Sequence, residues 1–215
     1  MFGLLTIVYF FIPGLGALIC CLGIIIFFYG LKKRKLIGEF GYKFPKDFNL
    51  KELLFLIPLL LVPFTGLLFG YKNNENIYSV INYAFYMFYV AFFEEFIFRS
   101  VIVNELYRNH NKYFTVIVSA LLFGFAHLMN YMSGLDLYSV FLQIFRATMV
   151  GFMLGAFYLK TFYILPCIFC HFFINLFALF DTGNVFKENI IIAIISLLYG
   201  IYLIKRVPLK KKYWI

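Results

Sequence analysis

The sequence predicts an all-α, polytopic membrane helix bundle of about seven transmembrane helices, built as a single domain over residues 1–215. Three observations predict it. The chain is 64% hydrophobic and only 13% charged, with a mean hydropathy of +0.90, whereas a soluble domain carries about a quarter charged residues. Apolar runs recur at lengths that cross ~30 Å of hydrocarbon at 1.5 Å per residue. Positive residues collect in alternate loops between those runs.

Taken in order, the runs extend over about Leu4 to Tyr29, Leu53 to Gly70, Ser79 to Tyr107 and Tyr113 to Met129, then Leu137 to Leu159, Phe162 to Phe180 and Ile190 to Ile204. The first has no basic stretch before it and a positive cluster after it, the pattern of a retained span rather than a cleaved signal peptide. Pro13, Pro58, Pro63 and Pro166 are expected to kink their helices, which is tolerable where neighbours satisfy the freed carbonyls. Gly151 and Gly155 make a small-xxx-small step suited to close helix packing. Cys20, Cys21, Cys167 and Cys170 all lie within apolar runs, so no disulfide framework is implied. Cys167 to His171 matches the haem-attachment spacing but lies mid-span, away from where haem would be attached.

The formal charge of +9 is distributed by topology rather than gathered on a nucleic-acid-binding face. Seven Lys and Arg residues from Lys32 to Lys51 crowd the first loop, Arg108 and Lys112 the third, and Lys160 the fifth. Lys205, Arg206, Lys210, Lys211 and Lys212 follow the last span, while the alternate loops hold Lys72 and Lys187. By the positive-inside rule the N-terminus is outside and the C-terminus cytoplasmic. The basic loop from Leu31 to Glu52 is expected to rest on anionic headgroups as a topology determinant.

Strongly polar side chains within the spans are few: Glu94, Glu95, Arg99, His127, Gln143, Arg146, His171 and Asn175. A charge at the bilayer centre costs about 2.5–3.5 kcal/mol or more. A chain that keeps Glu94, Glu95 and Arg99 within six residues therefore pairs them or uses them. Glu94 lies 14 residues before Arg108, and His127 lies 15 after Lys112. Arg146 lies 14 before Lys160, and Asn175 lies 15 after it. Four helices thus bring polar groups to one depth, roughly 21 Å from the cytoplasmic turns, with His171 one turn nearer the cytoplasm on the face of Asn175. Scattered structural polar residues would not share a depth, so these read as one site.

Helical spacing sorts its members. Glu95 and Arg99 are i, i+4 with the acid first, the better order for an ion pair; they read as an anchoring pair. Glu94 points about 100° away from Glu95 and reads as the free acid. Phe123 shares a face with His127, as His171 does with Asn175. A carboxyl in apolar surroundings makes a useful general base near neutral pH, and an imidazole opposite it can hold a water. A second imidazole and an amide can meet a developing oxyanion. Alternatively Glu94, His127 and His171 bind Zn²⁺ as a His₂Glu set with an open position. Gln143 reads as interhelical glue, and Arg146 as a counter-charge to one of the glutamates.

Glu94 to Arg99, Phe123 to His127 and His171 to Asn175 stand as EExxxR, FxxxH and HxxxN on successive helices. In these residues the sequence resembles the CPBP family of intramembrane proteases, also called the Abi or type II CAAX prenyl endopeptidase family, over about residues 79–180. The resemblance implies an all-helical membrane endopeptidase in which Glu94 and His127 activate water and His171 and Asn175 stabilise the oxyanion. Glu95, Arg99 and Phe123 would support them. It leaves open a zinc ion or a metal-free glutamate mechanism, and a substrate that is a membrane-associated CAAX-type protein or a bacteriocin-like peptide. Abundant Phe, Ile, Tyr, Lys and Asn suggest AT-rich coding, hence a bacterial plasma membrane and a bacterial peptide substrate. From another class, a non-proteolytic immunity or transport protein would also keep Glu and His within its spans.

Overall fold

A computed structural model describes residues 13–42, 50–69, 76–180 and 185–207. Among these residues every regular element is helical, and the helices form seven columns that follow the seven apolar runs. The columns are α1 (Pro13–Lys33), α2 (Leu50–Leu61) prolonged by a 3₁₀ stretch (Val62–Phe69), and α3 (Ile77–Glu95) running through a π-helix (Phe96–Val103) into α4 (Asn104–Asn109). They continue with α5 (Lys112–Ala126) and the short α6 (Met129–Met132), α7 (Leu137–Thr161), α8 (Leu165–Phe177) and α9 (Val185–Lys205). Lys112–Met132, Leu137–Thr161 and Phe186–Lys205 are each long and apolar enough to cross a membrane, and Leu54–Thr65 and Leu165–Phe180 are shorter apolar helices. The beginning of the first run at Leu4, and Lys43, Lys46, Lys72, Lys210, Lys211 and Lys212, lie outside the described residues.

Short polar side chains set the helix starts. Asn76, Asn111 and Asp136 are N-caps whose side-chain oxygens accept from the backbone N–H groups of Ser79, Phe114 and Ser139 at 2.8–3.0 Å. Each satisfies a donor that the helix itself cannot. At Asp136 the hydrogen bonds from Ser139 hold the carboxyl below its usual range. Pro166 lies in the first turn of α8, where a missing N–H costs nothing. It starts a helix rather than kinking one, contrary to the expectation from sequence. Pro58 is internal to α2.

The centre of the bundle is α7, which packs most extensively against α9 and α5. Met153, Leu154, Ala156, Phe157 and Tyr158 are fully buried, so this half of α7 is covered on every face, as a helix apolar all round should be. The Gly151–Gly155 step does its expected job. An added Cβ would stand 3.0 Å from Phe123 Cδ1 at Gly151 and 3.4 Å from Val116 Cγ1 at Gly155, so the small residues admit α5. Gly124 mirrors this on α5, where a Cβ would collide with Thr148 of α7.

In the loop after α1, Lys32 to Lys35 are exposed and residues 36–42 turn into the bundle. Ser100 Oγ donates to the Phe40 carbonyl at 2.7 Å and Asn104 Nδ2 to the Glu39 carbonyl at 3.2 Å, while the Ile164 N–H donates to the Gly41 carbonyl at 3.0 Å. The loop carbonyls thus gain partners inside, as buried backbone requires. Lys112 is likewise more than a topology charge: its ammonium is buried and donates to the Val207 carbonyl at 2.9 Å, closing the end of α9.

Gly41 makes the loop's turn possible. Its φ is +75°, and a Cβ there would stand 2.7 Å from Tyr158 Cε2. Left-handed geometry costs an L-residue about 1–2 kcal/mol, and overpacking adds a similar amount. Gly41→Ala is therefore expected to lower stability by about 2–4 kcal/mol, read as a drop in thermal midpoint in detergent. Gly30→Ala, which meets open space, should leave the midpoint nearly unchanged.

Candidate active site

The site forms where the end of α3 and the π-helix meet α5 and α8. Glu95 and Arg99 are both fully buried, with Arg99 Nε 2.9 Å from Glu95 Oε2. The i, i+4 pair expected from the sequence is present, although the turn between them is already π-helical, a wider turn often found at functional sites. No proline or glycine between Phe96 and Val103 announces it. Arg99 Nη1 and Nη2 have no hydrogen-bond acceptor among the described residues. The guanidinium instead lies 4.5 Å over the Phe123 ring, a cation–π contact that suits a desolvated Arg.

Phe123 is fully buried and serves as the hub. Phe98 packs on it edge to face at 5.1 Å, His127 at 5.2 Å and His171 at 5.4 Å. One turn earlier on α5, Ser119 Oγ donates to the Phe98 carbonyl at 3.1 Å, tying α5 to the π-helix. The spacing Phe123–His127 thus puts a flat apolar surface beneath both imidazoles and above the buried charge.

The two glutamates approach one imidazole from different sides. His171 Nδ1 lies 3.0 Å from Glu95 Oε1, and His171 Nε2 lies 3.7 Å from Glu94 Oε2. An imidazole carries its two nitrogens on different edges, so one ring spans the angular offset that separates consecutive helical residues. Glu95, its other oxygen held by Arg99, accepts from Nδ1. Nε2 of a neutral His171 then carries the lone pair and faces Glu94, so the Glu94–His171 couple is placed to share a proton. Glu94 keeps 28% of its side chain exposed, against 4% for His171 and none for Glu95. It is the carboxylate an incoming molecule can reach.

His127 is oriented by its own helix. Its Nδ1 lies 3.0 Å from the Phe123 carbonyl, and a carbonyl only accepts, so Nδ1 bears the hydrogen. In the neutral ring Nε2 is then the acceptor. Asn175 lies one turn along α8 from His171. Its backbone carbonyl accepts from Tyr83 Oη at 3.3 Å, which fastens α8 to α3. Tyr83 was not anticipated, although it precedes Glu94 by 11 residues, a spacing that returns to the same helix face. Arg146 lies within electrostatic range of Tyr83 and His127. Gln143 Oε1 accepts from Asn130 Nδ2 at 2.8 Å, the interhelical glue expected of it.

Among the described residues no three His, Cys, Asp or Glu side chains are grouped so as to hold a metal ion. Glu94 and His171 approach to 3.7 Å, with His171 Nδ1 held by Glu95, so each side chain's role follows from its own hydrogen bonds and contacts.

Residues 76–177 match the model of the family described as type II CAAX prenyl endopeptidase Rce1-like. This core is similar to that family. The match begins at Asn76, the N-cap of α3, and ends at Phe177, the last residue of α8. The matched core thus contains all three motifs and every side chain of the site, and it belongs to the membrane-embedded part of the chain. It spans just under half of the sequence, leaving α1, α2 and α9 outside it. Among curated proteins and among solved structures, none matches the chain significantly.

Proposed function

We propose that the protein is an intramembrane endopeptidase that hydrolyses a peptide bond of a peptide or membrane-associated protein substrate, with Glu94 and His127 activating the water. The observation that carries this reading is a reachable carboxylate, Glu94, set 3.7 Å from an imidazole that a fully buried Glu95–Arg99 pair holds in place. A buried ion pair that only stabilised a helix would need no such reach into the site.

In this scheme a water donates one hydrogen to His127 Nε2 and loses the other, as a proton, to Glu94. Its oxygen bonds to the substrate carbonyl carbon. The carbonyl oxygen gathers negative charge, met by the Asn175 amide and by His171 Nε2–H once Glu94 has passed the proton to it. The C–N bond then breaks as that proton returns through Glu94 to the leaving amine, while the water's remaining hydrogen passes to His127 Nε2, giving one carboxylate, one amine and an imidazolium that yields its proton to water. The lysine and arginine distribution supports a cytoplasmic C-terminus, and the AT-rich residue usage favours a bacterial plasma membrane with a bacterial peptide as substrate over a prenylated CAAX-type protein.

The test is cleavage by the purified full chain in liposomes, with apolar and CAAX-ended peptides and mass-spectrometric detection of products. General acid–base groups contribute roughly 10²–10⁴-fold, so His127→Ala is expected to slow cleavage at least a hundredfold. Undiminished cleavage by both His127→Ala and His171→Ala would sink the assignment. Transport or bacteriocin protection that survives Glu94→Gln with no product formed would replace it by the non-proteolytic reading. Elemental analysis with and without chelator addresses zinc. Activity lost together with bound Zn²⁺ would make Glu94, His127 and His171 ligands.

A further inference from the structure

We propose that the Asn130–Gln143 amide pair positions His127, holding its ring in the tautomer whose Nε2 can take up the water's hydrogen; this rests on the role proposed for His127 above. α5 ends at Ala126, and His127 is its C-cap. The His127 N–H bonds to the Gly124 carbonyl at 3.0 Å, three residues back instead of the four of an α-helix. Such 3₁₀ tightening is common at helix ends. It withholds from the Phe123 carbonyl the backbone donor that a continued α-helix would supply. The imidazole takes that place, with Nδ1 3.0 Å from the Phe123 oxygen. The tautomer of His127 is therefore set by how the helix ends.

That end is held from outside α5. The His127 carbonyl accepts from the Asn130 N–H at 3.0 Å, and the Asn130 carbonyl accepts from the Leu135 N–H at 3.2 Å, so Asn130 knots the connection to α7. Apolar packing does little to place this connection, since Leu128, Met129, Tyr131 and Met132 are all exposed. Asn130 and Gln143 are both half-buried, and Asn130 Nδ2 donates to Gln143 Oε1 at 2.8 Å. Among the described residues this is the one side-chain hydrogen bond between residues 128–135 and α7. Gln143 belongs to α7, the helix at the centre of the bundle. Hydrogen bonds thus run from Gln143 through Asn130 to the His127 backbone, and from the His127 ring to Phe123. Amide side chains that bond across helices in apolar surroundings fix one helix against another in this way.

The chain has three histidines, so NMR of the detergent-purified full chain with isotope-labelled histidine, in a His110→Asn background, leaves His127 and His171, and His171→Ala assigns the pair. At neutral pH His127 is expected as the Nδ1–H tautomer alone. Gln143→Leu, which removes the acceptor, and Gln143→Asn, which falls one methylene short, should both give a mixture with the Nε2–H form. Peptide cleavage should fall in parallel, in kcat by roughly ten- to a hundredfold. KM should stay within about twofold, as befits a group engaged in the transition state. Exchanging the two lengths, in Asn130→Gln/Gln143→Asn, restores the span and should restore the tautomer and most of kcat. A wild-type tautomer and kcat in both single variants would overturn the proposal, as would a length exchange no better than Gln143→Asn. A lowered thermal midpoint with an unaltered tautomer would also overturn it, by making the pair structural only. A wild type that cleaves no peptide would overturn the proposed reaction instead, and the tautomers would then decide the clamp by themselves.

Discussion

Glu94→Gln is expected to abolish peptide cleavage, by roughly a thousandfold or more, while leaving the fold intact. The substitution keeps the size of the side chain and removes its capacity to take a proton. The side chain is 28% exposed, and its one polar approach among the described residues is the 3.7 Å to His171, so little packing is lost. General-base removal costs roughly 10²–10⁴ in rate; the upper part of that range applies because Glu94 is asked both to take the water's proton and to return it to the amine. A rate assay combined with the thermal midpoint checks both halves of the expectation. A Glu94→Gln enzyme within tenfold of wild type would exclude Glu94 as the base.

Arg99→Met is expected to produce the largest loss of stability, about 3–5 kcal/mol, because it strands a fully buried carboxylate at Glu95. It also removes the cation from the Phe123 ring. The double variant Glu95→Leu/Arg99→Met removes the whole pair, and much of the stability should return, since a buried ion pair can often be exchanged for apolar packing. Activity should not return with it. His171 Nδ1 would have lost the acceptor 3.0 Å away that sets which edge of the ring faces Glu94. Thermal midpoints and cleavage rates of the two variants separate these effects. A double variant as unstable as Arg99→Met would mean that the two residues act independently; one that cleaves normally would show that His171 needs no orienting carboxylate.

Much of this was legible in the residues themselves. Apolar run length gave the columns, and i, i+4 spacing paired Glu95 with Arg99 and put Phe123 under His127. What escaped was what local periodicity does not encode. The assumption of a regular α-helix through Glu94 and Glu95 hid the fact that one imidazole could serve both, because that ring arrives from α8, 76 residues beyond Glu95. The π-helix has no local signature, since Ser100 within it and Asn104 just after it look like ordinary small breaks in an apolar run. Residues 36–42 read as surface because the preceding cluster is basic, yet the partners that bury them are carried by helices far along the chain. Tyr83 escaped because a hydroxyl in a chain with 17 tyrosines draws no notice.

The π-helix also makes the gene intolerant of small length changes in an unexpected place. Its wide turn carries one more residue than an α-turn would hold, and Ser100 and Asn104 grip the Phe40 and Glu39 carbonyls only in that register. Loss of a single codon between Ser100 and Val103 would let the segment relax to α-helical pitch with Glu95 and Arg99 untouched. It would swing Asn104 off its carbonyl and release the loop behind the site. A conservative deletion in a hydrophobic helix would thus act at a distance, as a mutation of the loop.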